Sequence, residues 1–257
     1  MTFDHEMDIA LRTARRAGEV ALRYFALEMD DEQEKPDLSP VTIADKECEK
    51  LITQVLSEEF PEDGIVGEEG AFRNSSSGRR WIIDPIDGTR DFVRRTPFWA
   101  NQIALEAAGR IVLGLIYFPR LQEMFHAQSG AGCFWNDAPT RSSQVNRLER
   151  ALLMINGFAP LWGKVGMDPI RFLTETCWTV RSYSGCYDVT MIARGKGDVW
   201  LSGSGKEWDY APAKVIAEEC GARFFNINGD DRIDQDNCII CTAELESELR
   251  KLLCKPK

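Results

Sequence analysis

The chain has 257 residues, 44% of them hydrophobic and 28% charged, and its formal net charge is −10. This composition is typical of a folded globular protein and argues against a disordered chain. An acidic protein repels phosphate backbones, so we expect no nucleic-acid partner. The chain contains only two histidines, His5 and His126, which disfavours serine-hydrolase triads and histidine-rich zinc sites.

The first part of the chain is predicted to combine helices with paired strands. Apolar residues at helical spacing predict a helix over residues 4–27, and a capping-box sequence that starts at Thr42 predicts a second helix, which ends near residue 60. A short apolar strand is predicted at residues 81–83, ending at Asp84. Two hairpins are predicted farther on, from strands at 102–106 and 111–118 and from strands at 124–127 and 132–135.

In the second part of the chain, helices and strands alternate. Helices are predicted at 168–177, 188–193, 210–220 and 244–253, and strands at 180–183, 198–201, 223–225 and 239–242. An α+β half at residues 1–143 therefore precedes an α/β half at residues 144–257. We expect the two halves to share an interface.

The cysteines and the chain terminus predict the compartment. The eight cysteines lie mostly in apolar stretches, as buried thiols of cytoplasmic proteins do. Cys238 and Cys241 have redox or zinc-motif spacing, but no second pair lies where a zinc site needs it, and their surroundings predict a buried strand. The acidic N-terminus is unlike a signal peptide, and the apolar run at 111–117 is too short to span a membrane. We expect a soluble, cytoplasmic protein without membrane contact.

The most informative stretch, Asp84-Pro85-Ile86-Asp87-Gly88-Thr89, follows the predicted strand 81–83. Converging carboxylates with no Lys or Arg beside them repel each other unless a cation lies between them, and Mg²⁺ prefers such oxygen ligands. The backbone N–H groups of Gly88 and Thr89 lead into a predicted helix and suit a phosphate oxygen. An ordinary strand–turn–helix corner with a capping aspartate explains the same spacing.

Two further acidic positions add to this motif. Glu68 lies on a loop flanked by Gly67 and Gly70, and Asp209 lies just before a predicted helix. Each has an ordinary interpretation, a solvated loop charge for Glu68 and a helix N-cap for Asp209. Taken together, the acidic positions form a constellation that favours metal binding.

In these motifs the chain resembles the inositol monophosphatase superfamily of Mg²⁺-dependent, lithium-sensitive phosphatases. The matching segments extend over nearly the whole chain, at residues 41–45, 67–69, 81–89, 208–209 and 217–221. The resemblance implies a layered αβαβα sandwich of the sugar-phosphatase type. It also implies a phosphoric monoester hydrolase with two Mg²⁺ ions and a third, weaker one, which acts on a small phosphorylated metabolite and forms a homodimer.

The resemblance assigns metal ligands residue by residue. It implies that Glu68, Asp84 and the carbonyl of Ile86 hold the first ion. It implies that Asp84, Asp87 and Asp209 hold the second. Most ligands then lie in the N-terminal half, and the C-terminal half supplies Asp209.

Catalytic and substrate-binding roles also follow from the resemblance. Thr89 is expected to orient the attacking water, with Asp45 hydrogen-bonded behind it, although Asp45 by itself is a capping-box acid. The expected catalytic residues are Glu68, Thr89 and Asp45. The expected substrate-binding residues are Asp87, Gly88, Thr89, Arg90, Gly185, Cys186 and Asp209.

The expected substrate rests on short sequence similarities. Thr89-Arg90-Asp91-Phe92, the segment 35–42 that begins with Lys35, and Cys186-Tyr187 are similar to the histidinol-phosphatase branch, which makes histidinol phosphate the leading substrate. Two expected acids are replaced by Gly185 and Ser202. An inositol-1-phosphate phosphatase and a broad sugar or nucleotide phosphatase, acting on 3′-phosphates or fructose bisphosphate, are therefore alternatives.

Two other classes fit the motifs less well. Aspartyl-phosphate phosphatases need two aspartates separated by one residue, whereas two residues separate Asp84 from Asp87. A non-catalytic metal-binding module would require a missing ligand, and all the implied ligands are present.

Overall fold

The computed structural model describes residues 2–27, 33–35 and 40–255. Its helices are α1 (Asp4–Leu27), α2 (Ile43–Glu59), α3 (Thr89–Val93), α4 (Phe158–Val165), α5 (Met167–Thr176), α6 (Gly185–Ala193), α7 (Glu207–Glu219) and α8 (Glu246–Leu253). Its strands are β1 (Gln33–Glu34), β2 (Pro40–Val41), β3 (Gly64–Gly67), β4 (Phe72–Arg73), β5 (Arg79–Asp87), β6 (Ala100–Ala107), β7 (Arg110–Phe118), β8 (Glu123–Gln128), β9 (Gly132–Trp135), β10 (Ala138–Thr140), β11 (Leu152–Asn156), β12 (Thr179–Arg181), β13 (Val199–Ser202), β14 (Ala222–Phe225) and β15 (Cys238–Thr242).

The larger sheet is built from the N-terminal half of the chain. Its strand order is β10-β9-β8-β7-β6-β5-β3-β4, and each neighbouring pair is antiparallel except β3 and β5. Side chains alternate between its faces. Trp81 and Ile83 pack with α1 and α2 on one face, and Ile82 packs with α7 on the other.

The smaller sheet belongs to the C-terminal half and has the order β12-β11-β13-β15-β14. Strand β11 is parallel to both of its neighbours, whereas β15 is antiparallel to both of its own. One face packs with α6 and α7, and the other with α4, α5 and α8.

These contacts produce five layers. The order is α1 and α2, the larger sheet, α6 and α7, the smaller sheet, and finally α4, α5 and α8. The predicted αβαβα sandwich is confirmed. Helix α7 lies in the middle layer and contacts both sheets, so residues at its first turn can meet residues from the N-terminal half. The division at residues 143 and 144 stays a prediction.

Several predicted elements differ from the structure at their ends. Strand β5 continues past residue 83 to Asp87, because its irregular pairing with β6 between Asp84 and Asp87 accommodates Pro85. Helix α7 begins before residue 210, so Asp209 lies in its first turn and Lys206 is the N-cap. Helix α6 begins at residue 185 rather than 188, and α4 and β11 were not predicted.

Other predicted features agree with the structure. Helix α1 has the predicted bounds, and Thr42 caps α2 in a complete capping box. Cys238 and Cys241 are buried in β15, and all eight cysteines are free thiols. Within the described ranges, no helix combines the length and apolar character that a membrane span needs.

Candidate active site

The end of β5 positions the acidic motif. The pairing of β5 with β6 is irregular between Asp84 and Asp87, and such bulges re-aim the side chains around them. Gly88 follows with a φ of +83° and caps α3. A Cβ atom at Gly88 would lie 2.9 Å from the carbonyl oxygen of Phe98, so only glycine fits this turn.

Three carboxylates converge at this point. One oxygen each of Asp84, Asp87 and Asp209 lies within 4.8 Å of the others. Asp209 is held in place because its Oδ2 accepts the backbone N–H of Lys206 at 2.5 Å. Asp84 is buried, and its Oδ1 has no hydrogen-bond partner in the described part of the chain. The cluster therefore offers at least one ligand oxygen, Asp84 Oδ1, that the described part of the protein leaves unused.

Burial and the closeness of like charges raise the pKa values of the three aspartates in this cluster. Burial, followed by the charges of Glu68, Asp87 and Asp209, raises the pKa of Asp84 well above its ordinary value. Burial raises the pKa of Asp87 to about 6, and burial together with the charge of Asp87 raises the pKa of Asp209 to about 8. Among the described residues, no Lys or Arg forms an ion pair with these three aspartates. A divalent cation would relieve this repulsion.

Glu68 differs from the three aspartates because it has a cationic partner. It follows β3, and the ammonium of Lys35 lies 2.7 Å from carboxylate oxygens of both Glu68 and Glu69. Burial opposes the charge of Lys35, but its hydrogen bonds to the two glutamates raise its pKa overall. The contact between Lys35 and Glu68 was not predicted, since it joins two loops distant in sequence.

Thr89 and Asp45 are brought together as predicted. The Thr89 hydroxyl lies 3.3 Å from Asp45 Oδ1 and 3.2 Å from the carbonyl oxygen of Ile86, and can donate to either. Asp45 Oδ2 accepts the backbone N–H and the hydroxyl of Thr42, at 2.9 and 2.6 Å. Asp45 is fully buried, and burial raises its pKa to about 7 despite the hydrogen bonds from Thr42.

A pocket of about 450 Å³ opens above the carboxylates and is lined from both halves of the chain. On the C-terminal side, the backbone N–H of Cys186 at the start of α6 donates to Asp87 Oδ2 at 3.2 Å. The sequence-predicted residues that line it are Glu68, Asp84, Ile86, Asp87, Gly88, Thr89, Arg90, Gly185, Cys186 and Asp209.

Other residues of the wall were missed by the sequence analysis. Asn156 at the end of β11 and Trp200 in β13 line the pocket, and the Trp200 indole N–H donates to the side-chain oxygen Oδ1 of Asn156 at 2.5 Å. No local motif marks Asn156 or Trp200, because only the packing of the smaller sheet brings them to the pocket. Ser202, which the sequence analysis named as the replacement of an expected acid, also lines the pocket and exchanges a hydrogen bond of 2.9 Å with the Tyr210 hydroxyl. Residues 36–39, part of a segment used for the substrate prediction, lie outside the described residues.

Comparison with known proteins identifies the family. The sequence model of the inositol monophosphatase family matches residues 4–256. The chain belongs to the inositol monophosphatase family. It is therefore a phosphatase that acts on phosphorylated small molecules, as predicted.

Relatives within the inositol monophosphatase family carry different names. A histidinol-phosphatase of Chlorobaculum parvum is 36% identical over 228 residues, which cover 89% of this chain and 88% of that protein. A protein of Pasteurella multocida named Nus factor SuhB is 32% identical over 232 residues, covering 87% of this chain and 85% of that protein. The crystal structure of the extragenic suppressor protein SuhB from Bartonella henselae aligns with a TM-score of 0.89 at 28% identity, over 98% of this chain and all of that one.

Proposed function

We propose that this phosphatase hydrolyses a small phosphate monoester in a Mg²⁺-dependent reaction, and that histidinol phosphate is its leading substrate. The observation that carries the proposal is the convergence of Asp84, Asp87 and Asp209 at the base of a pocket, without a cationic partner among the described residues. The 36%-identical relative named as a histidinol-phosphatase supports the choice of substrate.

The donor set at the base of the pocket fits a hard divalent cation. Carboxylate oxygens are the ligands that Mg²⁺ prefers, and the orphaned Oδ1 of Asp84 is a buried acceptor without a donor. Glu68, Asp84 and the carbonyl of Ile86 would hold one ion, and Asp84, Asp87 and Asp209 a second. When bound there, divalent ions neutralise charge on the phosphoryl oxygens and lower the pKa of water.

Thr89 and Asp45 would handle the proton of the attacking water. The Thr89 hydroxyl can accept a hydrogen bond from water while it donates its own proton to Asp45 Oδ1. Asp45 has a pKa of about 7 because it is buried, so it can take up a proton near neutral pH. Asp45 thus acts through Thr89, and Thr89 touches the water.

The phosphate group would be held by the turn that follows β5. The backbone N–H groups of Gly88 and Thr89 begin α3, and Arg90 lines the pocket beside them. Backbone N–H groups at the start of a helix favour an anion, and a guanidinium suits phosphate oxygens. Negative charge from the three aspartates is balanced only after cations bind, so phosphate binding should depend on the metal.

A panel of esters tests the substrate. Phosphate release is measured with Mg²⁺ on histidinol phosphate, inositol 1-phosphate, adenosine 3′,5′-bisphosphate and fructose 1,6-bisphosphate, with Asp87→Asn as the blank. We expect kcat/KM for histidinol phosphate to be at least about a hundredfold above the others, the selectivity of a few specific polar contacts. Similar values throughout would favour the broad phosphatase, and no hydrolysis of any ester would overturn the proposal.

The homodimer has separate support in the structure. Large apolar side chains are exposed on α4, α5 and the turn before β12: Trp162, Met167, Phe172 and Trp178. Exposed apolar patches commonly mark protein interfaces. We propose this surface as the dimer interface, and light scattering of wild type and Trp178→Asp tests it. Lithium sensitivity and cytoplasmic location stay predictions.

A further inference from the structure

One buried aspartate near the pocket has no part in the mechanism above. Asp188 lies in α6 and is fully buried, yet neither of its carboxylate oxygens forms a hydrogen bond in the described part of the chain. Asp198, also buried in the C-terminal half, shows the ordinary arrangement, because its oxygens accept the Ser143 hydroxyl at 2.5 Å and the backbone N–H of Leu152 at 2.7 Å. A buried carboxylate without partners needs an explanation.

Asp188 lies on α6 beside residues that line the pocket, although it is not a lining residue itself. Ser184 and Gly185, four and three residues earlier, both line the pocket. Residues at these spacings share one face of a helix, and helical side chains tilt toward the N-terminus. Asp188 therefore lies on the same face of α6 as these two pocket residues, behind the pocket wall. Gly185 places no side chain on this face, and a Cβ atom there would meet nothing closer than the Trp200 ring at 3.6 Å.

The surroundings of Asp188 consist of further pocket residues. The Asn156 side-chain amide and the backbone N–H of Tyr183 face the carboxylate and stabilise its charge, although neither forms a hydrogen bond of regular geometry. Both residues line the pocket. Within the described ranges, no Lys or Arg forms an ion pair with Asp188. The buried Asp188 carboxylate thus lies behind the pocket wall, as an acidic group in addition to the cluster at the base of the pocket.

We propose that Asp188 is a specificity-determining residue, and that it binds the ammonium or another N–H group of an amine-bearing phosphate ester. The inference rests on the proposed phosphatase function and names the substrate class for that pocket. A cation bound beside Gly185 would supply the donor that both carboxylate oxygens lack. Polyol phosphates carry no charge of this kind, so Asp188 separates the two classes of ester.

The first test compares two substrates in the variant Asp188→Asn, which keeps the shape and removes the charge. We expect the ratio of kcat/KM for histidinol phosphate over inositol 1-phosphate to fall at least about tenfold, as expected for losing a charge-assisted hydrogen bond. The matched control is Asp198→Asn, which removes a buried carboxylate away from the pocket and should leave the ratio unchanged. An unchanged ratio in Asp188→Asn, or equal losses on both substrates, would overturn the inference.

A rescue experiment restores a carboxylate at this wall by a second substitution, and circular dichroism and thermal unfolding establish that each variant is folded. Gly185 has ordinary backbone dihedrals and room for a side chain, so Gly185→Asp can place a carboxylate on the same wall. The double variant Gly185→Asp/Asp188→Asn should recover the preference for histidinol phosphate. Failure of a folded double variant to recover any preference would count against recognition by charge at this wall.

A binding measurement separates this inference from the proposed function. Calorimetry with histidinol, which carries the amine but no phosphate, needs no turnover. We expect wild type to bind it at least about tenfold more tightly than Asp188→Asn does. If that holds but wild type hydrolyses no ester, the phosphatase proposal fails and the role of Asp188 stands. If wild type hydrolyses esters but binds histidinol no better than the variant, only the role of Asp188 fails.

Discussion

Buried carboxylates at the two ends of strand β5 differ in their hydrogen-bond partners and in the direction of their pKa shifts. At its start, Asp63 accepts hydrogen bonds from Arg79, from the Ser77 hydroxyl and from the Trp81 indole at distances of 2.7 to 3.2 Å. Burial opposes the charge of Asp63, but the hydrogen bonds from Arg79 and Ser77 outweigh it and lower its pKa. At the other end, Asp84 is equally buried, has an oxygen without a partner, and has a raised pKa.

The difference shows how a structural carboxylate is distinguished from a functional one. The protein satisfies Asp63 with its own donors, so this carboxylate stabilises the fold without help. It leaves one oxygen of Asp84 without a partner and gives Asp87 and Asp209 one backbone N–H each, with no cationic partner among the described residues, which costs stability until a ligand binds. Burial and residue type are alike at the two ends, and the available partners decide the role.

The largest effect is expected from Asp87→Asn. Loss of this carboxylate should lower kcat/KM by at least about a thousandfold, since several kcal/mol of transition-state stabilisation depend on the site. The free energy of unfolding in EDTA should stay the same or rise, because one like charge has been removed. Phosphate release and urea unfolding measure the two quantities. A large loss of stability in EDTA would place Asp87 in the same class as Asp63.

The next effect is a pH dependence of stability in EDTA. Asp87 and Asp209, with pKa values of about 6 and about 8 in the folded chain, keep protons that the unfolded chain releases near pH 4. Their contribution to stability is therefore full below about pH 4 and lost as the pH rises through 6 and 8. Urea unfolding should show a fall of about 2 kcal/mol or more between pH 5 and 9.

Saturating Mg²⁺ serves as the control for this pH profile. The ion binds the ionised carboxylates, so the stability that it adds should increase over the range in which EDTA-treated protein weakens. Asp63 has the opposite sign, because its lowered pKa means that its contribution is lost only when the pH falls below about 4. A flat profile in EDTA would contradict the contrast between the two ends of β5.

The variant Asp63→Asn tests the carboxylate at the start of β5, whose hydrogen bonds come from the protein itself. Removing one partner of this buried ion pair leaves Arg79 without its main acceptor and should lower the free energy of unfolding by about 3 kcal/mol. Urea unfolding at pH 7 measures the change, and kcat of the folded enzyme should stay near the wild-type value. A loss below about 1 kcal/mol would mean that Glu6, which also pairs with Arg79, carries the interaction.

The smallest effect is expected from Glu49, whose carboxylate has hydrogen-bond partners, like that of Asp63, but a raised pKa, like that of Asp84. Its two carboxylate oxygens accept the backbone N–H groups of Glu69 and Ala71 at 2.8 Å, but burial still raises its pKa. Glu49→Gln replaces one acceptor with a donor and should lower the free energy of unfolding by about 1 kcal/mol. Glu58→Gln, on the exposed face of α2, is the matched control and should change nothing measurable.

How much of the site could be predicted depended on the range of the contacts. Asp84, Asp87 and Thr89 lie within one short motif, so a local pattern singled them out. Asp45 lies in a capping box, which predicts only a helix start, and its catalytic role was implied by the family resemblance. Asp209 was placed before its helix because Lys206 is an unusual N-cap that leaves no sequence signal.

Residues that depend on long-range packing could not be predicted. Lys35 contacts Glu68 from a loop distant in sequence. Asn156 and Trp200 line the pocket, and Asp188 lies beside Asn156, only after the smaller sheet has packed against α6. The resemblance to the inositol monophosphatase superfamily implied the layered sandwich, whereas periodicity predicted the separate elements, since each element's buried face is a local property. Periodicity carries no information on which buried aspartate lacks a partner.

The place of Asp209 on α7 has a consequence for protein synthesis. Roughly half the chain separates this aspartate from Asp84, and α7 needs both sheets to be held in place. During translation, the N-terminal half can emerge and form its large sheet while the acidic cluster still lacks one of its three members. A truncated product therefore cannot assemble the cluster. Phosphatase activity thus reports that a chain has been fully synthesised and fully packed.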